Sequence, residues 1–195
     1  MGDGKLYIYD STSRIDRWQA SGRFSKNSGV TTVPAGSAAE LQRSLADLVA
    51  KGQTFNKVVF QTHGNSGMIF FNHVPITASD FRSSFAGKGY DRLFPRKTKI
   101  YFDGCVVAQG SAGWDFLVAA GETFLRGPGG LTMAYTSVGS GIPGWVPLIG
   151  GHTEHFTGNL RLVEFKAGGA ESNRFESNGS IPDLIKQSEI LSSYN

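Results

Sequence analysis

The chain has a single cysteine, Cys105, and four histidines, His63, His73, His152 and His155. A thiol becomes a working nucleophile when an imidazole within hydrogen-bond reach handles its proton and rigid elements hold both groups. Cys105 lies in KIYFDGCVVAQGSAGWDFL (99–117), where an apolar run gives way to Gly104, Gly110 and Gly113. His63 lies in KVVFQTHGNSG (57–67), where another apolar run stops at His63-Gly64. Both residues also have plainer readings. A lone cysteine is commonly a small buried hydrophobe, and a strand-end histidine commonly satisfies a backbone carbonyl.

The elements around them decide whether the pair can meet. KLYIYD (5–10) alternates and reads as a first strand. Residues 11–36 are polar and rich in Gly and Ser, which predicts an irregular loop or short hairpin. SAAELQRSLADLVAKG follows, with Ser37 and Glu40 as a capping box, an apolar stripe of Leu41, Leu45, Leu48 and Val49, and Gly52 as terminator: a helix. KVVFQT (57–62) is a buried strand, GMIFFNHVPIT a small hairpin or extended arm exposing His73, and ASDFRSSFAGKGYDRLF a helix capped by Thr77 or Ser79. KTKIYFDG is another buried strand. SAGWDFLVAAGETFL is a helix with Trp114, Leu117, Val118 and Phe124 facing inward, and LTMAYTSVG a further strand. Beyond Gly139 the pattern weakens into a loop, then a strand in NLRLVEFKA and a helix in PDLIKQSEILSSY.

Alternating strands and helices predict an α/β protein, a three-layer α/β/α sandwich with a mostly parallel central sheet. One domain is expected over 1–195, with its core at about 5–140 and a C-terminal loop, strand and helix over 141–195. Ligands of such sheets bind at the carboxyl ends of the strands. His63 and Cys105 lie just past two such ends, so parallel strands would bring them to one edge. The amides of Gly64 and Cys105 are then candidate oxyanion donors. The helix after Cys105 would present a positive end that favours an anion.

The segments VVFQTHGNSG and IYFDGCVVAQGSAGWDFL resemble the His-Gly and Cys motifs of the caspase-like cysteine peptidases, a group including caspases, metacaspases, gingipains and clostripain-like enzymes. The fit is best to a bacterial caspase-like domain whose second motif reads Gly-Cys-x-Val-Ala-x-Gly-x-x-Gly-x-x-Phe. Gly104, Cys105, Val107, Ala108, Gly110, Gly113 and Phe116 match it position by position. The resemblance covers roughly residues 57–137 and lacks the caspase Gln-Ala-Cys signature. It implies a caspase-like fold, His63 as general base and acid, Cys105 as nucleophile, and Gly64 and Cys105 as oxyanion donors. In several relatives an acid two positions before the cysteine lines a pocket for a basic P1 side chain. Asp103 stands there in this chain, which implies a preference for Arg or Lys. Its plainer roles are to cap a turn or to pair with Lys99 or Arg96.

Composition narrows the partners to a peptide or protein substrate. The net charge of +3 is carried by scattered Lys and Arg, which gives no footprint for nucleic acid. No apolar run approaches the roughly 20 residues needed to span a bilayer. The opening MGDGKLYIYD has neither an apolar leader nor a myristoylation signal, which predicts a cytoplasmic protein, at least when made, whether or not it is then delivered elsewhere. A single cysteine forms no internal disulfide.

Two rival readings remain open. His152 and His155 in GGHTEHFTG follow Cys105 in the order found in papain-like and cell-wall amidase enzymes, although the cysteine there opens a helix rather than follows a strand. The same two histidines, with only Glu154 between them as an acid, lack the ligands of a zinc site, so no metal or other cofactor is expected. Trp145 is a candidate specificity-loop residue or a packing one. The other rival is a catalytically inactive module of the same fold that binds peptides.

Overall fold

The computed structural model describes residues 4–14, 17, 29–95, 97–127, 129–138 and 158–177. Strands β1 (Lys5–Asp10), β2 (Val30–Ala35), β3 (Lys57–Gln61), β7 (Thr98–Asp103), β8 (Gly130–Tyr135), β9 (Leu160–Phe165) and β10 (Glu171–Ser177) form one sheet in the order β10-β9-β8-β7-β3-β1-β2. The five strands from β2 to β8 are parallel, and β9 and β10 add antiparallel at one edge. This is a mixed, mostly parallel sheet of an α/β protein, consistent with a three-layer α/β/α sandwich. Among the described residues no helix is long and apolar enough to cross a membrane.

Helix α1 (Ala38–Ala50) carries the chain from β2 to β3, and helix α3 (Gly110–Phe124) from β7 to β8. Between β3 and β7 the chain forms a second, small sheet, β4 (His63–Asn65), β5 (Met68–Phe71) and β6 (Val74–Thr77). The short helix α2 (Ala78–Asp80) follows, running into a π-helical turn at Phe81–Phe85, then a 3-10 turn at Tyr90–Leu93. All three crossovers step in the same direction across the sheet. Right-handed connections therefore place their helices on one face.

That face carries Leu6, Ile8, Val58, Phe60, Ile100 and Phe102, packed in one core with Leu41, Leu45, Leu117 and Phe124. Phe81 meets Phe85, Phe116 and Phe124 edge-on there, at 5.2–5.6 Å between ring centroids. The alternate strand residues Tyr7, Val59, Tyr101, Met133 and Leu162 form a second buried cluster on the opposite face. Apolar burial on both faces is what makes these strands read as continuous apolar runs.

The strands around the site and helix α1 agree with the sequence reading. Ser37 Oγ accepts from the Glu40 amide at 3.2 Å, while the Glu40 carboxylate turns to the Gly36 amide at 2.7 Å rather than to Ser37 itself. Three elements differ from expectation. Within 11–36, residues 30–35 form the edge strand β2 rather than loop or hairpin, and Pro34 is tolerated because an edge strand has one unpaired side. The helix expected over 78–94 stops at Phe85, since Gly87 and Gly89 both take positive φ, 73° and 77°, and break it. Strand β10 was unexpected because its polar sequence, ESNRFES, puts only Phe175 against the core. The helix expected after Pro182, Trp145, and the loop carrying His152 and His155 lie outside the described residues.

Candidate active site

Strands β3 and β7 are neighbours in parallel, with Gln61 paired to Asp103. His63 and Cys105 each follow two residues later, so the pairing puts them at the same height on the carboxyl edge of the sheet. His63 is exposed and Cys105 half-buried. The step from β1 outward to β2 and back to β3 reverses the strand order beside this point, the place where open α/β sheets leave a crevice.

The two segments are then stapled together. After β4 the chain turns at Ser66-Gly67, and both turn residues hold the segment after Cys105: the Gly67 amide donates to Val107 O at 2.9 Å and Ser66 Oγ to Gln109 O at 2.6 Å. At Gly64 the contact is backbone to backbone. A Cβ there would stand 2.5 Å from Val107 Cγ2, 2.8 Å from Cys105 O and 3.1 Å from Cys105 N. No other residue fits this position. A second motif glycine, Gly113, has the same use, because a Cβ on it would lie 2.1 Å from the carbonyl carbon of Ala108.

The orientation of Gly64 follows from the small sheet. Ile69 is paired with Gly64 on one side and with Ile76 on the other. The two-residue turn at Asn72-His73, with φ of 50° and 63°, makes Phe71–Val74 a hydrogen-bonded pair. By alternation Phe70–Pro75 is a non-bonded pair, as Pro75 requires, and Ile69 spends its amide and carbonyl on Ile76. Gly64 therefore turns its N–H away from β5, towards the open edge of β4.

The turn carrying the thiol is fixed from several sides. Val106 donates its amide to Ser137 O at 2.8 Å, Ala108 to Tyr135 O at 3.0 Å, and Gln109 back to Val106 O at 2.9 Å. The Val106 amide is thus spent on Ser137, leaving the Gly64 and Cys105 amides as the expected pair. Val106 has φ +49°, a left-handed conformation that is costly for a β-branched residue. Such a residue persists only where its surroundings over-determine it, and it is typical of functional turns.

Asp103, half-buried at the end of β7, accepts from Tyr101 OH at 3.1 Å, a partner the sequence did not suggest. Tyr101 meets Tyr135 edge-on at 6.3 Å. Burial first, and the Asp103 carboxylate second, push the Tyr101 hydroxyl well above its ordinary value and Tyr135 up to about 12. Both phenols are therefore neutral donors across the physiological range.

Three residues at this edge carried no sequence signal. Asp10, buried at the end of β1, accepts from the Thr12 amide, Thr12 Oγ1 and the Asn72 amide, at 2.8, 2.7 and 3.1 Å, and so anchors the β5–β6 turn. Arg161 on β9 donates from Nη1 to Ala108 O and Gly110 O. Trp114, expected inward, is half-buried, with Arg161 lying 4.7 Å and Arg174 5.5 Å from its ring centroid. His73 is exposed at its turn. Among the described residues no group of three or more His, Cys, Asp or Glu side chains stands together as a metal site. The chain matches no protein-family model and no curated protein.

Proposed function

We propose that this protein is a caspase-like cysteine peptidase, hydrolysing a peptide bond with Cys105 as nucleophile and His63 as proton carrier. The observation that carries the reading is the paired register of β3 and β7, which sets the two residues level on adjacent strand ends with Gly64 packed against Cys105.

The chemistry divides into two displacements. Cys105 Sγ bonds to the scissile carbonyl carbon while His63 takes the thiol proton. The carbonyl oxygen becomes an oxyanion that accepts from the Gly64 and Cys105 amides. The tetrahedral species collapses, the C–N bond breaks, and His63 passes its proton to the leaving nitrogen. Water then attacks the thioester. His63 receives a proton from that water and returns it to sulfur as the C–S bond breaks. Asp103, with one carboxylate oxygen fixed by Tyr101, would meet the cationic end of an Arg or Lys at P1.

The test is the alkylation rate of Cys105 at neutral pH, read by mass spectrometry on the only thiol present. Wild type, His63→Ala and the His152→Ala/His155→Ala double variant are compared. A fast reaction abolished by His63→Ala alone, together with cleavage after Arg or Lys, supports the reading. Dependence on His152 and His155 instead points to a papain-like pairing. A slow thiol, indifferent in all three, marks an inactive peptide-binding module or a structural cysteine.

A further inference from the structure

Arg161 reaches from β9 into the turn that carries Cys105. Its side chain is largely buried, 14% exposed, and Nη1 donates to Ala108 O at 2.7 Å and to Gly110 O at 2.6 Å. Nε donates to Glu176 Oε2 on β10 at 2.9 Å, and the guanidinium lies over Trp114 in the first turns of α3. A cation at a helix N-terminus opposes the helix dipole, so stabilising α3 electrostatically is not its use. Its rigid fork matches a different task, gripping two backbone carbonyls at fixed spacing while a carboxylate sets its plane. Those carbonyls straddle Gln109, whose own amide closes the turn on Val106 at 2.9 Å. The strained Val106 needs such restraint if Cys105 beside it is to hold one position.

We propose that Arg161 is a positioning residue for the nucleophile: it ties the Cys105 turn to the antiparallel β9–β10 edge and keeps the thiol at one place relative to His63. The proposal rests on the peptidase reading above and adds a residue that lies outside both motifs.

The experiment uses the full chain and the variants Arg161→Met and Arg161→Lys. Arg174→Met serves as the control, since it removes a guanidinium from the same Trp114 face without touching the turn. Hydrogen exchange across 105–110, His63-dependent alkylation of Cys105, Tm, and kcat and KM on Arg- or Lys-P1 peptides are measured. In Arg161→Met the Val106 and Gln109 amides should exchange faster, with kcat down about tenfold or more and KM within about threefold, the pattern of a misplaced reacting group. Arg161→Lys should recover part of kcat, and it carries the test alone if the Met variant does not fold. Arg174→Met should match wild type in exchange and kcat. A His63-dependent thiol whose exchange and kcat ignore Arg161 overturns the clamp and leaves the peptidase reading standing. A wild-type thiol that ignores His63 overturns both.

Discussion

Gly64 and Cys105 touch through their backbones, leaving no room for even a methyl group between them. The histidine segment and the cysteine turn therefore behave as one body, although 40 residues of chain lie between those two positions. Gly64→Ala would set its new carbon 2.8 Å from Cys105 O and 3.1 Å from Cys105 N. Neither atom can swing aside as the end of a flexible side chain would, so the turn must move. Overpacking of this kind costs about 1–3 kcal/mol, a Tm loss of roughly 2–12 °C for a chain of this size. Displacement of the thiol should lower kcat/KM by about 100-fold, far beyond what the stability loss explains. Kinetics and thermal melts on the same preparation check this, and unchanged kinetics would show that the contact does not position the thiol.

Asp10 ties the end of β1 to the far turn of the small sheet. It is 3% exposed and receives three hydrogen bonds, from the Thr12 amide and hydroxyl and from the Asn72 amide. Asp10→Ala leaves those donors without their acceptor at a turn already held at positive φ. The expected cost is about 2–3 kcal/mol, a Tm loss of roughly 4–12 °C. Asp10→Asn keeps one carbonyl oxygen and should recover part of it. Thermal melts of the two variants decide, and equal Tm values for Asp10→Ala and wild type would contradict the anchoring role.

How much of this was legible beforehand follows from where each signal lies. His63 and Cys105 stood out because both end apolar runs, and a buried strand announces its own end. The parallel pairing then followed from strands alternating with helices. Arg161 and Asp10 were invisible because they act on partners far along the chain, 53 residues for Arg161 to Ala108 and 62 for Asp10 to Asn72. A charged residue in an alternating strand reads as a solvated position until the fold supplies those partners. Strands β2 and β10 were missed for a related reason. Edge strands bury little, so their sequences carry little hydrophobic pattern.

Acid should loosen the β9–β10 clamp before it unfolds the core. A hydrogen bond from the Asn159 side-chain amide, reinforced by Arg161, holds the Glu176 carboxyl below its ordinary value of 4.5. A group whose folded value is depressed contributes stability above its unfolded value and loses it as pH falls through the folded one. The Glu176 contribution is therefore complete at neutral pH and fades below about pH 4.5. Melts of wild type and Glu176→Gln across this range should converge on acidification. A gap that stays constant from neutral pH downward would show that the ion pair adds nothing to stability.

The alkaline limit reports on Asp103. Tyr135 is pushed up to about 12 from 10.0, by burial and then by the Asp103 carboxylate. A raised folded value means stability that is whole below pH 10 and drains away as pH climbs towards 12. Absorbance at about 295 nm, where tyrosinate absorbs, should show late-ionising phenols that Tyr135→Phe diminishes and unfolding brings back to the ordinary range. Asp103→Asn should move the late phenols to lower pH, since it removes the neighbouring negative charge and keeps a side-chain oxygen for Tyr101. The same variant should remove any preference for Arg or Lys at P1 while leaving the alkylation of Cys105 dependent on His63. If the titration moves and the preference does not, the carboxylate faces the tyrosines and the P1 pocket lies elsewhere. If both move, one oxygen is held by Tyr101 while the other remains for the substrate.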